Sequence, residues 1–267
     1  MKKQQSKKLK KALKSSKILG VMLSSTHKSE VLELIASKLK HKMKFYIVTP
    51  NPEILVHADT NQNLKEVLNK GDLAIPDGVG LILAGKLLKV RNLNLIKGRE
   101  LMLDLFTLAN EKKLKIFLLG STKKVIEKSL VKIKNTYPNI IAKGNPGPML
   151  DTNAQCLTDN DIAKQRDILD KINKFKPDLL FIAFGAPKQE LWLGKHYENL
   201  KIGGAMVVGG SLDYFAGIKK PPPKFLNNLG LEWLWRLANE KGHLRRVIRA
   251  TIEFPFLILK QKISNSH

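Results

Sequence analysis

The sequence is short of cysteine, of acidic residues and of long apolar runs, and each shortage closes off a class of protein. A single cysteine, Cys156, among 267 residues excludes an intramolecular disulfide and any cysteine-based zinc cluster. It fits a reducing cytosol. No stretch reaches the roughly 18–20 continuous apolar residues that span a bilayer. The segment before Lys17 also lacks the apolar stretch of a signal peptide, so neither a membrane span nor export is expected. Six histidines show no H-E-x-x-H or other paired spacing, which argues against a zinc site. The patterns G-x-G-x-x-G, G-x-x-x-x-G-K-[ST] and G-x-S-x-G are missing, and a nucleotide-dependent oxidoreductase suffers from the lack of the first. Acids number 23 against 47 Lys+Arg, a formal net charge of +24. That excess implies an anionic partner: nucleic acid, a phosphorylated substrate or an anionic membrane surface. A basic nucleic-acid-binding protein without enzymatic activity is the alternative reading of the charge. No recognised nucleic-acid module accompanies it, and phosphate-backbone binding would weaken steeply with salt in a filter-binding assay.

What is present is an ordinary globular composition, 43% apolar and 26% charged, in a chain long enough to bury a substantial core. Residues 1–17 hold eight lysines and no acid and read as a basic disordered tail. Strand and helix patterns then alternate. Ile18–Ser24 reads as a first strand, Lys28–Lys40 as an amphipathic helix, Phe45–Val48 as a second strand and Glu53–Thr60 as a helix with Asn51 at its N-cap and Pro52 in its first turn. Leu73–Ile75 is a short strand, Val79–Leu88 and Leu101–Lys112 are helices, and Ile116–Leu119 is a buried strand backed by a helix over Lys123–Lys134. Asn139–Ala142 reads as another strand, residues 144–160 as the least structured interior loop and Asp161–Phe175 as a helix. Asp178–Phe184 is the most hydrophobic strand, and Ala205–Val208 ends the series. This alternation predicts an α/β fold: a mostly parallel, Rossmann-like, doubly wound sheet with helices on both faces.

Sheets of this kind bind ligands beyond the carboxyl ends of their strands, and this sequence places polar turns at those ends. Thr49-Pro50-Asn51-Pro52-Glu53 follows the second strand, Pro76-Asp77-Gly78 the third, and Gly185-Ala186-Pro187-Lys188-Gln189-Glu190 the most hydrophobic one. Gly209-Gly210-Ser211-Leu212-Asp213 follows the last strand. Gly120-Ser121 at a helix N-terminus is a candidate phosphate cradle through backbone N–H groups. Each turn also has a plain structural reading: Thr49 and Asn51 as caps, Asp77 as a turn former, Gln189 and Glu190 as first-turn helix residues. Asp159-Asn160-Asp161 spells the D-x-D of metal-dependent sugar-nucleotide enzymes but, just before a helix, reads as capping. No metal and no cofactor are expected.

Past Gly217 the chain changes character. Pro221-Pro222-Pro223 suits neither helix interior nor central strand. The segment from Arg236 onward carries seven Lys+Arg, two acids and a long series of Leu, Ile, Val and Phe. It fits a basic amphipathic helix lying in a membrane interface or one packed on the core with its lysines outward. The expected layout is a tail over 1–17, an α/β core over 18–220 and a C-terminal, membrane-associating helical appendage over 221–267.

Taken as a set, these motifs resemble the WecG/TagA/CpsF family of bacterial glycosyltransferases. The resemblance rests on Thr49–Ile54, Pro76–Gly80, Phe117–Gly120, Phe184–Glu190, Val208–Asp213 and Leu229–Arg236 in that order, and it covers Ile18 to about Ala250. It implies an inverting, metal-independent transfer of an N-acetylhexosamine-type sugar, N-acetylmannosamine or its uronic acid. The donor would be a UDP-sugar and the acceptor a polyprenyl-diphosphate-linked N-acetylglucosamine. The setting would be cell-surface polysaccharide or teichoic-acid synthesis, peripherally on the cytoplasmic face of the cell membrane, with homo-oligomerisation left open and no nucleic-acid partner. By position in the motifs, the resemblance makes Asp77 the general base, Thr49 a substrate-positioning residue, Gln189 an active-site residue and Arg236 a diphosphate ligand. Asn51, Gly78, Gly120, Ser121, Gly185, Lys188, Glu190, Gly209, Gly210, Ser211, Asp213, Arg245 and Arg246 complete the expected substrate-binding set. The chain departs from the pattern at Lys241 and His243, where the family has Pro and Arg, and over Leu95–Leu101, where an Arg is missing and Glu100 replaces Asp.

Overall fold

A computed structural model describes residues 14–90, 92–223, 226, 235, 237 and 244–265. Six strands form one sheet: β3 (Phe45–Val48), β4 (Leu73–Ala74), β5 (Lys115–Gly120), β6 (Ile141–Asn145), β7 (Leu179–Ala183) and β8 (Gly204–Val207). Their order is β4-β3-β8-β7-β5-β6, and every pairing is parallel. Because successive strand residues point to opposite faces, the central strands feed two cores. Tyr46, Val48, Leu119, Leu180, Ile182, Ala205 and Val207 enter one cluster, while Phe45, Ile47, Leu118, Phe181, Met206 and Val208 enter the other.

Helices cover both faces, as the alternating pattern requires. The first cluster is roofed by α2 (Pro52–Thr60), α3 (Gln62–Lys70), α4 (Val79–Leu87), α7 (Asp159–Phe175) and α8 (Lys188–His196). The second is closed by α1 (Lys28–Lys40), α5 (Gly98–Glu111), α6 (Lys123–Thr136) and the short α9 (Ser211–Phe215). The doubly wound parallel sheet is therefore present. The connection out of β5 runs to the β6 edge whereas that out of β7 runs back toward β8, so the loops diverge and leave a crevice at the carboxyl ends.

Two parts of the expected layout change. Lys14–Lys17, placed in the basic tail, are strand: β1 (Lys14–Ile18) pairs antiparallel with β2 (Val21–Ser25) as a separate hairpin, and the remainder of the tail lies outside the described residues. The reversal comes at Leu19 (φ +46°) and Gly20 (φ +80°), both in the left-handed region that a two-residue hairpin turn demands. Nothing in a continuous Ile-Leu-Gly-Val run signals that break. The second change concerns the C-terminus. Residues 244–264, expected to extend beyond the core, form α10 (Leu244–Ile248), a π-helical turn (Arg249–Glu253) and α11 (Phe254–Ser264). Phe254 and Ile258, each 2% exposed, belong to the first core cluster. Leu19 N–H donates to Gln261 Oε1 at 2.9 Å, tying the hairpin turn to the last helix. Pro255 explains the π turn: its ring would clash with the carbonyl four residues back, and a widened turn just before it relieves the clash.

Candidate active site

The polar turns sit at the carboxyl edge of the sheet, where contacts link them in two sets. Asn51 caps α2 by accepting from Ile54 N at 3.0 Å, and Pro52 fills the first helical position, where its missing N–H costs nothing. Against Pro52 lies the turn after β4. Gly78 (φ +120°) has Pro52 Cδ 3.3 Å from the position of an added Cβ, and Gly80 has Pro52 Cγ at 2.8 Å. Asp77 is anchored in this turn through its N–H, which donates to Pro50 O at 2.9 Å. Its carboxylate then reaches the start of α5, where Gly98 N–H donates to Asp77 Oδ2 at 3.2 Å.

Gly98 is the hinge of this arrangement. A Cβ there would come within 3.0 Å of Asp77 Oδ2 and 3.3 Å of Thr49 Cγ2. Thr49 is 9% exposed, so it forms the floor beside Asp77 and is not a surface group. The N-terminus of a 14-residue helix thus points at a half-buried carboxylate, a favourable charge arrangement.

A second set of contacts joins β5, β7 and β8. Gly120 (φ +100°) passes so close to β7 that an added Cβ would fall 2.7 Å from Ala183 C. Ser121 follows, also in the left-handed region at φ +62°, and its Oγ pairs with Asp213 Oδ1 at 2.7 Å, crossing from the β5 loop to the β8 loop. Lys219 Nζ lies 3.7 Å from Asp213 Oδ2. Gly209 and Gly210 lead into α9, which opens at Ser211. Gly185 (φ +81°) has open space where a Cβ would be, and Lys188 Nζ donates to Leu150 O at 3.3 Å.

Gln189 and Glu190 take other positions than expected. Gln189 is 4% exposed. Its Oε1 accepts from Gly185 N–H at 3.2 Å and Gly209 N–H at 3.0 Å, and its Nε2 donates to Glu190 Oε1 at 3.0 Å. The amide is a staple that sets the β7 and β8 turns at a fixed separation. Glu190, expected on the binding surface, is fully buried, and among the described residues its Oε2 has no hydrogen-bond partner. Burial pushes its carboxyl up to about 7, opposed by the hydrogen bond from Gln189. Helix periodicity points its side chain inward, which turn chemistry alone did not show.

Asp161 supports the cap of α7, and Asp159 stands exposed in its first turn. Asp161 Oδ1 accepts from Met149 N–H at 3.0 Å and its Oδ2 from Thr158 Oγ1 at 2.7 Å, while Thr158 Oγ1 caps α7. Of the three arginines singled out, Arg236 lies outside the described residues, Arg245 is exposed and Arg246 is engaged. Arg246 Nε donates to both carboxylate oxygens of Glu53, at 3.0 and 2.8 Å. The sequence reading missed this contact: a pair 193 residues apart leaves no local signal, although both partners stand in motifs noted above.

Comparison with known proteins agrees with this geometry. The sequence profile of the glycosyl transferase WecG/TagA/CpsF family matches residues 16–267. Two relatives from Staphylococcus aureus, of strains MW2 and NCTC 8325, are each named N-acetylglucosaminyldiphosphoundecaprenol N-acetyl-beta-D-mannosaminyltransferase. Each is 34% identical over 247 residues, covering 92% of this chain and 92% of its own length. With its parallel sheet and its polar turns gathered at one edge, the chain belongs to the WecG/TagA/CpsF family of glycosyltransferases.

Proposed function

We propose that this enzyme transfers an N-acetylmannosamine-type sugar from a UDP donor to polyprenyl-diphosphate-linked N-acetylglucosamine, with inversion and without a metal. The observation that carries the reading is the Asp77 carboxylate, held at a strand end by Gly98 N–H over the floor formed by Thr49. The names of the relatives supply the acceptor class and the sugar. In the transfer, Asp77 takes the proton from the acceptor hydroxyl as its oxygen bonds to the anomeric carbon. The bond from that carbon to the UDP oxygen breaks, and UDP leaves with the electron pair. Charge that develops on the leaving group is met by the Gly210 N–H and by cationic side chains, since the N–H groups of Ser121 and Gly209 already donate to Ala183 O and Gln189 Oε1. Gln189 acts through the turns it holds. Arg236, Arg245 and Arg246 bind the acceptor diphosphate, a task that suits the guanidinium fork.

In this reading the enzyme works peripherally at the cytoplasmic membrane face, and both the lipid of the acceptor and the last helix support membrane association. Leu244, Ile248, Ile252, Phe256, Leu259 and Ile263 recur every three or four residues and are 60, 37, 64, 66, 50 and 64% exposed. Arg245, Arg249, Lys260 and Lys262 stand among them. An apolar stripe with interspersed cations suits insertion into an anionic interface. The central test is Asp77→Asn, read by release of UDP from UDP-N-acetylmannosamine in the presence of a synthetic lipid-diphospho-N-acetylglucosamine. A loss of about 10²- to 10⁴-fold at unchanged melting temperature is expected for a general base. Normal transfer by the variant overturns the assignment.

A further inference from the structure

Glu53 lies in the first turn of α2, directly after the strand end that carries Thr49, and is 6% exposed. A carboxylate so buried needs a cation. His57 Nε2 is 3.9 Å from Glu53 Oε1, but burial and the charge of Arg249 hold the imidazole toward its neutral form. Arg246 is therefore the cation on which Glu53 depends, and its Nε–H is spent on both Glu53 oxygens. A guanidinium has five N–H donors. Among the described residues no hydrogen bond uses the four on the terminal nitrogens of Arg246, whose side chain is 38% exposed against 8% for that of Glu53. An anion approaching this corner meets the guanidinium first.

We propose that Glu53 is a positioning residue that pins Arg246 by its Nε and presents the two terminal nitrogens, as a fork, to the acceptor diphosphate. The inference rests on the reading of Arg246 as a diphosphate ligand and adds the group that aims it. Without the pin, a long side chain on a one-turn helical segment samples many rotamers, and each ordered contact with phosphate costs more entropy. With it, the orientation of the fork is set before the ligand arrives.

The test compares wild type, Glu53→Gln, Arg246→Met and the double variant in the full chain. Binding is measured by calorimetry with a short-chain prenyl-diphospho-N-acetylglucosamine, and turnover with the same compound. Glu53→Gln is expected to raise the acceptor Kd and KM about tenfold while leaving the donor KM and the kcat at saturation unchanged. The loss should vanish in the Arg246→Met background, and Glu53→Asp, which keeps the charge, should recover part of it. A merely structural role would instead lower the melting temperature and disturb donor and acceptor alike, and that outcome overturns the proposal. If Arg246→Met weakens acceptor binding but Glu53→Gln and Glu53→Asp do not, the positioning role fails while the diphosphate reading stands. If Arg246→Met leaves acceptor binding unchanged, both fail. Should Glu53→Gln not fold, Glu53→Asp alone decides, since unchanged acceptor binding there counts against a pin that depends on side-chain length.

Discussion

Single side chains at this site divide by burial into those that can meet a substrate and those that hold the others in place. Asp77 is half-buried at a strand end, whereas Thr49, Gln189 and Glu190 are buried. Glu190 makes the division measurable. Its carboxyl is raised from 4.5 to about 7, so between those values the folded protein binds a proton that the unfolded chain has lost, and stability falls as pH rises. His196 does the reverse. Burial lowers it from 6.5 to about 4, so the unfolded chain binds the extra proton and stability rises with pH across that window. The two slopes oppose one another over most of pH 4.5–6.5. Glu190→Gln, which keeps the oxygen that accepts from Gln189, should remove only the falling component. Thermal unfolding of the variant is expected to show stability rising from about pH 4 to 6.5, by on the order of 2–3 kcal/mol relative to wild type. A constant difference between the two proteins across this range would show that Glu190 does not titrate there. Read along the chain, Glu190 is only a polar helix-start residue, because its exposure depends on which way the turn faces.

Elements position these side chains, and their starts matter more than their middles. Helix α5 begins with a glycine, Gly98, at which a Cβ would crowd Asp77 Oδ2 at 3.0 Å and Thr49 at 3.3 Å. Gly98→Ala should therefore displace the carboxylate by a few tenths of an ångström without unfolding the helix, whose interior it does not touch. The expected result is a fall in kcat of about tenfold or more, since small misplacements of reacting groups are costly. A variant with normal kcat would mean that Asp77 has slack in this position. Most elements were legible in the sequence: α2 with its Asn51 cap, α7 and the apolar strands β5 and β7 fall near their expected places. The β1–β2 hairpin and helix α3 were not. Leu19-Gly20 carries none of the Asn-Gly or Asp-Gly chemistry that announces a tight turn, and α3 restarts at Asn61, one residue after α2 ends.

Across the whole molecule, two cores on opposite faces of one sheet support a single polar edge, and the C-terminal helix carries an exposed apolar stripe. Its inner face is held by Phe254 and Ile258, so its outward stripe can be altered without loosening the fold. Ile252→Asp with Phe256→Asp should reduce co-sedimentation with phosphatidylglycerol vesicles at least tenfold while the circular dichroism spectrum stays the same, because two large apolar groups leave the interface. Undiminished binding would place membrane contact elsewhere, with the N-terminal lysines the first to examine.

By itself the sequence determined the alternation of strand and helix, the presence of polar turns at strand ends and the family those turns belong to. These are local properties, set by periodicity, capping and turn chemistry within a few residues of one another. The tertiary structure decided which turns face each other. It put Gly98 under Asp77, made Gln189 a staple between two turns, hid Glu190 and brought Arg246 onto Glu53. Each of these depends on contacts between residues far apart in the chain, whose energies come from burial and fixed distance. No window of sequence contains either.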